Sequence, residues 1–531
     1  MTSFRLEIEA PIGKGLAKKG GTYRIPLRIQ GPVPSGANEL PADDGIVLSA
    51  EIRDLRNRRV WTVPQTDAAS GSHFAGTLPD LDPGRYQLVA TATSPAGLLV
   101  TRTVDCFVVE PLPTEGFYPT MCYVDFTADG HCLDPEGIRA RLQDMKDAGF
   151  NTAAISGPTS LASERPSPGR DVRALCETVA AQLGMAITFE YSNFTTYRRR
   201  SGPKPCPFTP AGKKAVQDKL RSRIDIANRT ARLLTAKVVD EPHLSMGDID
   251  LECPHCQAEF KQRYGIELKD VDGSKDPYKM WCRADFGGHL VEEVFKLGAE
   301  YKEANATGSW DLLLTYMATG LGYQNPQRTV QDALDWTRHV KWVDFDIYPY
   351  FYPASQRVRM VQASYGMSYM REVARARGIP WGFYVEIDDR NWPFQKNPKE
   401  ASAECAFTAV AHGADYLNTF IHRLASTGCG SRPERWDLAK EAFQQISQLG
   451  PLLAELPALR SRLALLHPNA DEMIREGYAR PDHTLELLKG AFGDLDVLPE
   501  QIARESGTIP YAALLLLDVE YLHVDTVSPL Q

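Results

Sequence analysis

The chain reads as three units: an N-terminal Ig-like β-sandwich, a central (β/α)8 TIM barrel, and a partial doubly wound α/β domain at the C-terminal end. Three observations predict this. From Phe4 to about Glu110 the pattern is short alternating strands separated by Gly, Pro, Asn and Asp, the signature of an antiparallel sandwich. From Phe117 onward eight strand and helix pairs follow over about 340 residues, and such alternation implies a parallel sheet closed as a barrel. Beyond Pro457 a further strand, helix and strand stop within roughly seventy residues, less than a usual domain. The expected boundaries are 1–112, 113–457 and 458–531.

In order, the sandwich strands are expected at Thr22 to Ile29, Gly45 to Asp54, Arg58 to Val63, Gly84 to Ser94 and Leu98 to Glu110. Pro111-Leu112-Pro113 makes a stiff linker. The barrel strands are Phe117 to Phe126, Phe150 to Ser156, Met185 to Asn193, the run ending at Asp240-Glu241, Trp310 to Met317, Val343 to Tyr348, Trp381 to Glu386 and Tyr416 to Ile421. Helices between them are expected near Asp134 to Gly149, Val172 to Gly184, Gly212 to Leu233, Val330 to Val340, Gln356 to Gly378, Glu400 to Gly413 and Arg435 to Leu456. An open doubly wound sheet usually shows a Gly-rich phosphate loop after its first strand, and this chain has none there. The last unit offers strands at Leu463 to Leu466, Asp496 to Leu498 and Tyr511 to Leu517, with a helix at His483 to Gly490.

Composition narrows the function. At 531 residues the chain is too long for one core, and 43% hydrophobic with 24% charged is ordinary for a soluble protein. A formal net charge of -9 argues against a nucleic-acid partner. Met1 to Ala10 holds no apolar leader, and no later run is long and apolar enough to span a bilayer. A cytoplasmic protein with no membrane partner is expected. Ten scattered cysteines do not form a disulfide framework, so they are expected to be buried thiols or metal ligands.

Catalytic groups are sought at strand C-termini, which converge on one cleft in a barrel. The apolar run Ala236-Lys237-Val238-Val239 stops at Asp240-Glu241-Pro242, where proline ends the ladder. Strand seven delivers Glu386, followed by Asp388, Asp389, Asn391 and Trp392. Two carboxylates across a cleft can divide glycosidic cleavage, one protonating the leaving oxygen while the other attacks the anomeric carbon or activates water. Tyr316, Tyr348, Tyr350, Phe351, Tyr352 and Trp392 follow or end strands five to seven, and aromatic faces suit the C–H faces of sugar rings. Some of them are expected to be core packing instead. His422 and Arg423 end strand eight and could bind substrate hydroxyls or pair at the rim. Cys253 and Cys256 form a CxxC.

These residues resemble a family. Asp240-Glu241-Pro242 after strand four, Asp346-Ile347-Tyr348-Pro349 on strand six, Glu386 with Asn391-Trp392 on strand seven, and Ala409-Val410-Ala411-His412-Gly413-Ala414-Asp415 before strand eight look like the β-galactosidases of glycoside hydrolase family 42 and their clan A relatives. Cys253-Pro254-His255-Cys256-Gln257-Ala258-Glu259-Phe260 resembles that family's cysteine loop, and the tail from Leu463 resembles its trimerisation domain. The resemblance implies a retaining, exo-acting β-glycosidase with Glu241 as acid/base and Glu386 as nucleophile. Asp240 and Asp346, with Tyr316, Tyr348, Tyr350, Trp392 and His422 from their strand-end positions, are the candidate substrate contacts, and the resemblance suggests a homo-oligomer, with a trimer suspected. No cofactor is expected for catalysis. Cys206 stands where the family adds a further ligand, so Cys206, Cys253 and Cys256 become candidates for a closed structural Zn2+ site, with Cys282 or His255 as fourth ligand. The alternative is a set of buried thiols, as expected for Cys122, Cys132, Cys176, Cys405 and Cys429.

Two features depart from the family. Asp240 stands where it usually carries an Asn that touches the sugar 2-hydroxyl, and the Ig-like unit ahead of the barrel is not its usual arrangement. Adjacent Asp240-Glu241 is also similar to the substrate-assisted β-N-acetylhexosaminidases, in which the Asp positions a 2-acetamido group. A non-catalytic carbohydrate-binding protein is the third alternative.

Overall fold

The computed structural model of the chain describes residues 5–8, 16–18, 22–30, 47–54, 56–66, 72–77, 79–82, 84–94, 97–109, 112, 115–124, 135–155, 172–189, 206–228, 230, 232–240, 244–245, 249–306, 310–317, 329–330, 333–347, 349, 356–387, 400–420, 433–457, 460–475 and 482–530.

Strands β1 (Arg5–Ile8), β2 (Leu16–Lys18), β3 (Thr22–Gln30), β4 (Val47–Arg53), β5 (Arg59–Thr62), β6 (Gln65–Thr66), β7 (Ser72–Thr77), β8 (Gly84–Ser94) and β9 (Gly97–Val109) form two sheets. One runs β1-β3-β7-β6 and the other β2-β9-β8-β4-β5. All neighbours pair antiparallel except β2 with β9. On β4, Leu48, Ala50 and Ile52 are buried while Val47 and Ser49 are exposed, the period-two pattern of a sheet covered on one face. Strand β7 has Phe74 as its one large apolar residue, so no hydrophobic alternation announces it.

The barrel strands are β10 (Met121–Val124), β11 (Thr152–Ile155), β12 (Ala186–Phe189), β13 (Leu233–Asp240), then β15 (Asp311–Met317), β17 (Trp342–Asp346), β18 (Trp381–Glu386) and β19 (Tyr416–Phe420). The short β14 (Leu244–Ser245) and β16 (Thr329–Val330) pair antiparallel with each other beside them. The eight strands lie in that order and all pair parallel. The last returns to the first: Thr120 bridges Leu417, the Leu417 amide donates to Pro119 O at 3.0 Å, and Thr419 Oγ1 donates to Met121 O at 3.1 Å. This closure removes the sheet edges.

Side-chain alternation sorts each strand into two faces. Cys122, Ala153, Ile187, Phe189, Leu312, Leu314, Val343, Phe345, Phe383, Val385 and Leu417 face the helices and join the main apolar layer. At the N-terminal end the interior is plugged by Met121, Leu313 and Tyr416, with Trp342 5.0 Å from Tyr416. Gly382 is required here, because a Cβ would run into the Tyr416 ring. Nearer the other end Tyr123, Ala154, Tyr384 and Phe420 cluster.

Two helix expectations shift. The helix expected to reach Leu233 spans Pro210–Ala227, and Leu233 opens β13 instead. The turn between them is made by Arg232, whose backbone is left-handed (φ 53) and whose guanidinium donates to Met185 O and Gly184 O at 3.0 and 2.8 Å. The helix expected over Val330 to Val340 shrinks to Ala333–Trp336 and a 3-10 turn Thr337–His339, because Val330 is paired to Leu244.

The last unit is a parallel sheet of β20 (Leu463–His467), β21 (Asp496–Pro499) and β22 (Ala513–Leu515), in the order β21-β20-β22. It docks on the barrel helix Gln356–Arg377 through buried polar groups. Arg371 pairs with Asp496 and, at 2.9 Å, with Asp494; Tyr511 OH donates to Glu372 at 2.5 Å; Tyr365 OH meets His467 Nδ1 at 2.9 Å.

Candidate active site and cysteine cluster

Strand direction puts Asp240, Asp346 and Glu386 at the C-terminal end of the barrel as the last residues of β13, β17 and β18. Glu386 is half-buried. It shares the inward face of β18 with Tyr384, since Phe383 and Val385 face outward. The flanking backbone is pinned: Ser402 Oγ donates to Glu386 O at 3.0 Å and the Ile387 amide donates to Phe420 O at 2.6 Å. Asp346 is buried and follows Asp344 on the inward face of β17.

Strand β13 arrives with an irregularity that its sequence does not announce. Lys237 pairs with Leu313 and Asp240 with Thr315, so three steps on β13 oppose two on β15. A bulge of this kind re-aims the residues that follow and is common beside active sites. The backbones of Asp240 and of Tyr316, which pairs with Phe345, are thereby placed. Glu241, Tyr348, Tyr350, Trp392 and His422 lie outside the described residues, as do Phe351, Tyr352 and Arg423.

Below Glu386 the interior is polar, which sequence reading had not flagged. Thr188 Oγ1 meets Thr235 Oγ1 at 2.5 Å, Asn418 Nδ2 donates to Asp344 at 3.2 Å, and Lys237, 1% exposed, sets its ammonium 4.8 Å from the Tyr384 ring centroid. The available signal was a lysine inside an otherwise apolar strand.

The cysteines come together. Ligand atoms of Cys206, Cys253 and Cys256 lie within 4.8 Å of one another, with Sγ of Cys206 and Cys256 3.6 Å apart. Cys253 is the N-cap of the helix Pro254–Tyr264 with Pro254 at its first position, which puts Cys256 in the first turn, where the helix dipole favours a thiolate. Cys206 is fixed from the other side, since Thr209 Oγ1 donates to Cys206 O at 2.8 Å and accepts from the Gly212 amide at 3.0 Å. The hydrogen bond with Cys256 lowers Cys206 to about 6 against the effect of burial, and correspondingly raises Cys256. Exposed His255 and buried Cys282 stand outside the group of three. Cys122, Cys176 and Cys405 are buried thiols that take part in no disulfide.

Known structures share this fold. A β-galactosidase from the haloarchaeon Halorubrum lacusprofundi is 16% identical, with 77% of this chain and 70% of that one covered at a TM-score of 0.56. A β-galactosidase from the psychrophile Marinomonas ef1 is 13% identical, over 78% and 73%, at 0.58. A catalytic mutant of Gan42B, a GH42 β-galactosidase from G. stearothermophilus, is 12% identical, over 78% and 70%, at 0.59. The chain has the fold of the GH42 β-galactosidases. The likeness read from the short motifs is thus met in three dimensions. No family model and no curated protein matches the sequence, which is what identities this low lead one to expect.

Proposed function

We propose that the chain is a retaining, exo-acting β-glycosidase that uses Glu386 as nucleophile and Glu241 as acid/base. The observation that carries this is Glu386 itself: an inward-facing, half-buried carboxylate that ends the seventh strand of a barrel with the GH42 fold. Across the barrel, β13 ends at Asp240, and Glu241 is the next residue in the sequence. In this reading Glu386 attacks the anomeric carbon while Glu241 protonates the leaving oxygen, and Glu241 then takes the proton from the water that releases the sugar. A panel of aryl β-glycosides followed by proton NMR tests it. Net retention is expected; inversion, or no cleavage of any member, would sink the reading. A binding-only protein would give that last outcome.

Adjacent Asp240-Glu241 supports a second mechanism, in which the substrate's own acetamide attacks and Glu386 is idle. Cleavage confined to 2-acetamido substrates would favour it.

We further propose Zn2+ at Cys206, Cys253 and Cys256 in a structural role. The fit is geometric: thiolates ~2.3 Å from a tetrahedral ion sit about 3.8 Å apart, close to the 3.6 Å between Cys206 and Cys256. When bound, the metal would cross-link the helix starts at Pro210 and Pro254. Metal analysis of chelator-free protein should find about one equivalent, and Cys253→Ser should lose it. The Ig-like unit is read as an accessory domain, and the C-terminal unit as a self-association element whose trimer sedimentation would reveal.

A further inference from the structure

Interiors of (β/α)8 barrels are ordinarily filled by layers of bulky branched side chains. Here the interior departs from that rule, with Thr188, Thr235, Lys237, Thr315, Asp344 and Asn418 all buried on five of the strands. Burying an ammonium is costly without compensation. Lys237 is buried on β13, and its Nζ lies 4.8 Å from the centroid of the Tyr384 ring. Tyr384 is two residues before Glu386 on the same face of β18, so the two Cα atoms are separated by roughly 6.6 Å along the strand. The lysine therefore lies one layer below the proposed nucleophile.

We infer that Lys237 is a positioning residue that keeps Glu386 ionised, an inference that rests on the glycosidase reading for its catalytic meaning. The charges around it make the need concrete. Asp344 and Asp346 face the same interior from β17, with the phenols of Tyr384 and Tyr123 from β18 and β10. Glu404 and Cys405 stand behind β18 on the helix Ala401–Ala411, and Asp240 ends the lysine's own strand. Carboxylates that share this interior favour the protonated, non-nucleophilic form of Glu386. A fixed cation within about 10 Å in such an interior is worth on the order of one pH unit in the opposite direction. Lys237 supplies that cation without touching substrate, and its contact with the Tyr384 ring holds the phenol beneath Glu386.

The test is the titration of Glu386 in wild type, Lys237→Met and Lys237→Arg. Glutamate labelled at its side-chain carboxyl carbon gives the titration directly by NMR, the Glu386 signal being the one absent from Glu386→Gln. Lys237→Met should raise the Glu386 midpoint by about one pH unit and shift the acid limb of kcat/KM by the same amount, while Lys237→Arg leaves both near wild type. A folded Lys237→Met protein whose Glu386 midpoint is unmoved overturns the inference; should Met fail to pack, Lys237→Gln serves as the second neutral variant. The NMR arm does not need turnover. A wild-type protein inert on every aryl glycoside would sink the glycosidase reading while the titration still decides the role of Lys237.

Discussion

Two parts of the molecule handle charge in opposite ways. At the seam between the helix Gln356–Arg377 and the C-terminal sheet, charges are matched with partners: Arg371 with Asp494 and Asp496, Arg375 with Glu372, and Lys489 with Asp494 at 3.7 Å besides hydrogen bonds to Ser364, Ser368 and His412 at 3.1, 2.9 and 3.0 Å. At the C-terminal end of the barrel, carboxylates close three strands with Lys237 as the cation inside. Matched charges fix a docking geometry, whereas an excess of one sign is what a catalytic cleft needs to hold proton acceptors poised. The difference separates a structural use of ionisable groups from the chemical one proposed for the barrel end.

The largest effect expected from breaking this contrast is at Glu386. Glu386→Ala should lower kcat by several orders of magnitude, and azide should restore turnover as a glycosyl azide of inverted configuration. Full activity in that variant would move the chemistry elsewhere. At the seam the effect should fall on stability. Arg371→Met leaves Asp496 buried without its main partner and should cost about 3–5 kcal/mol in denaturant unfolding. Adding Asp496→Asn should recover part of that loss, and a single variant that costs nothing would show that the pair does not hold the seam.

A smaller effect at the seam depends on pH. Burial lowers Lys489 to about 8, below its ordinary range. Between that value and the unfolded pKa of about 10.4 the unfolded chain binds the proton more tightly, so stability should rise with pH across this window. On the order of 2–3 kcal/mol is involved over the whole interval. Lys489→Met should show a correspondingly flatter curve from pH 8 upward, and parallel curves for the two proteins would contradict the burial argument.

The barrel was legible because a parallel sheet buried on both faces writes itself as apolar runs alternating with helical periods, and Trp381–Glu386 is read to the residue. Cys253 and Cys256 were visible as a CxxC and Cys206 was added by the family resemblance; that the three meet rests on a contact across fifty positions. What stayed illegible was set by tertiary context. The bulge before Asp240 depends on how β13 meets β15, the early stop at Ala227 depends on Arg232 reaching Met185 O and Gly184 O, and Lys237 passed as part of an apolar run because one strand does not show what lies across a barrel.

The smallest expected effect, and the sharpest discrimination, is at Asp240. It ends β13 just after the bulge, immediately before Glu241. If Glu386 is the nucleophile, Asp240 only holds the substrate, and an amide of the same shape can still hydrogen-bond a sugar hydroxyl. Asp240→Asn should then keep kcat/KM within about tenfold of wild type, a change of at most ~1.4 kcal/mol in transition-state binding. If the substrate's acetamide attacks instead, Asp240 must stabilise a developing positive charge, which a neutral amide cannot do. The loss would then be at least a hundredfold and confined to 2-acetamido substrates. Measuring Asp240→Asn beside Glu386→Ala on paired glucoside, galactoside and 2-acetamido substrates separates the mechanisms, because each predicts the damage at the residue the other spares.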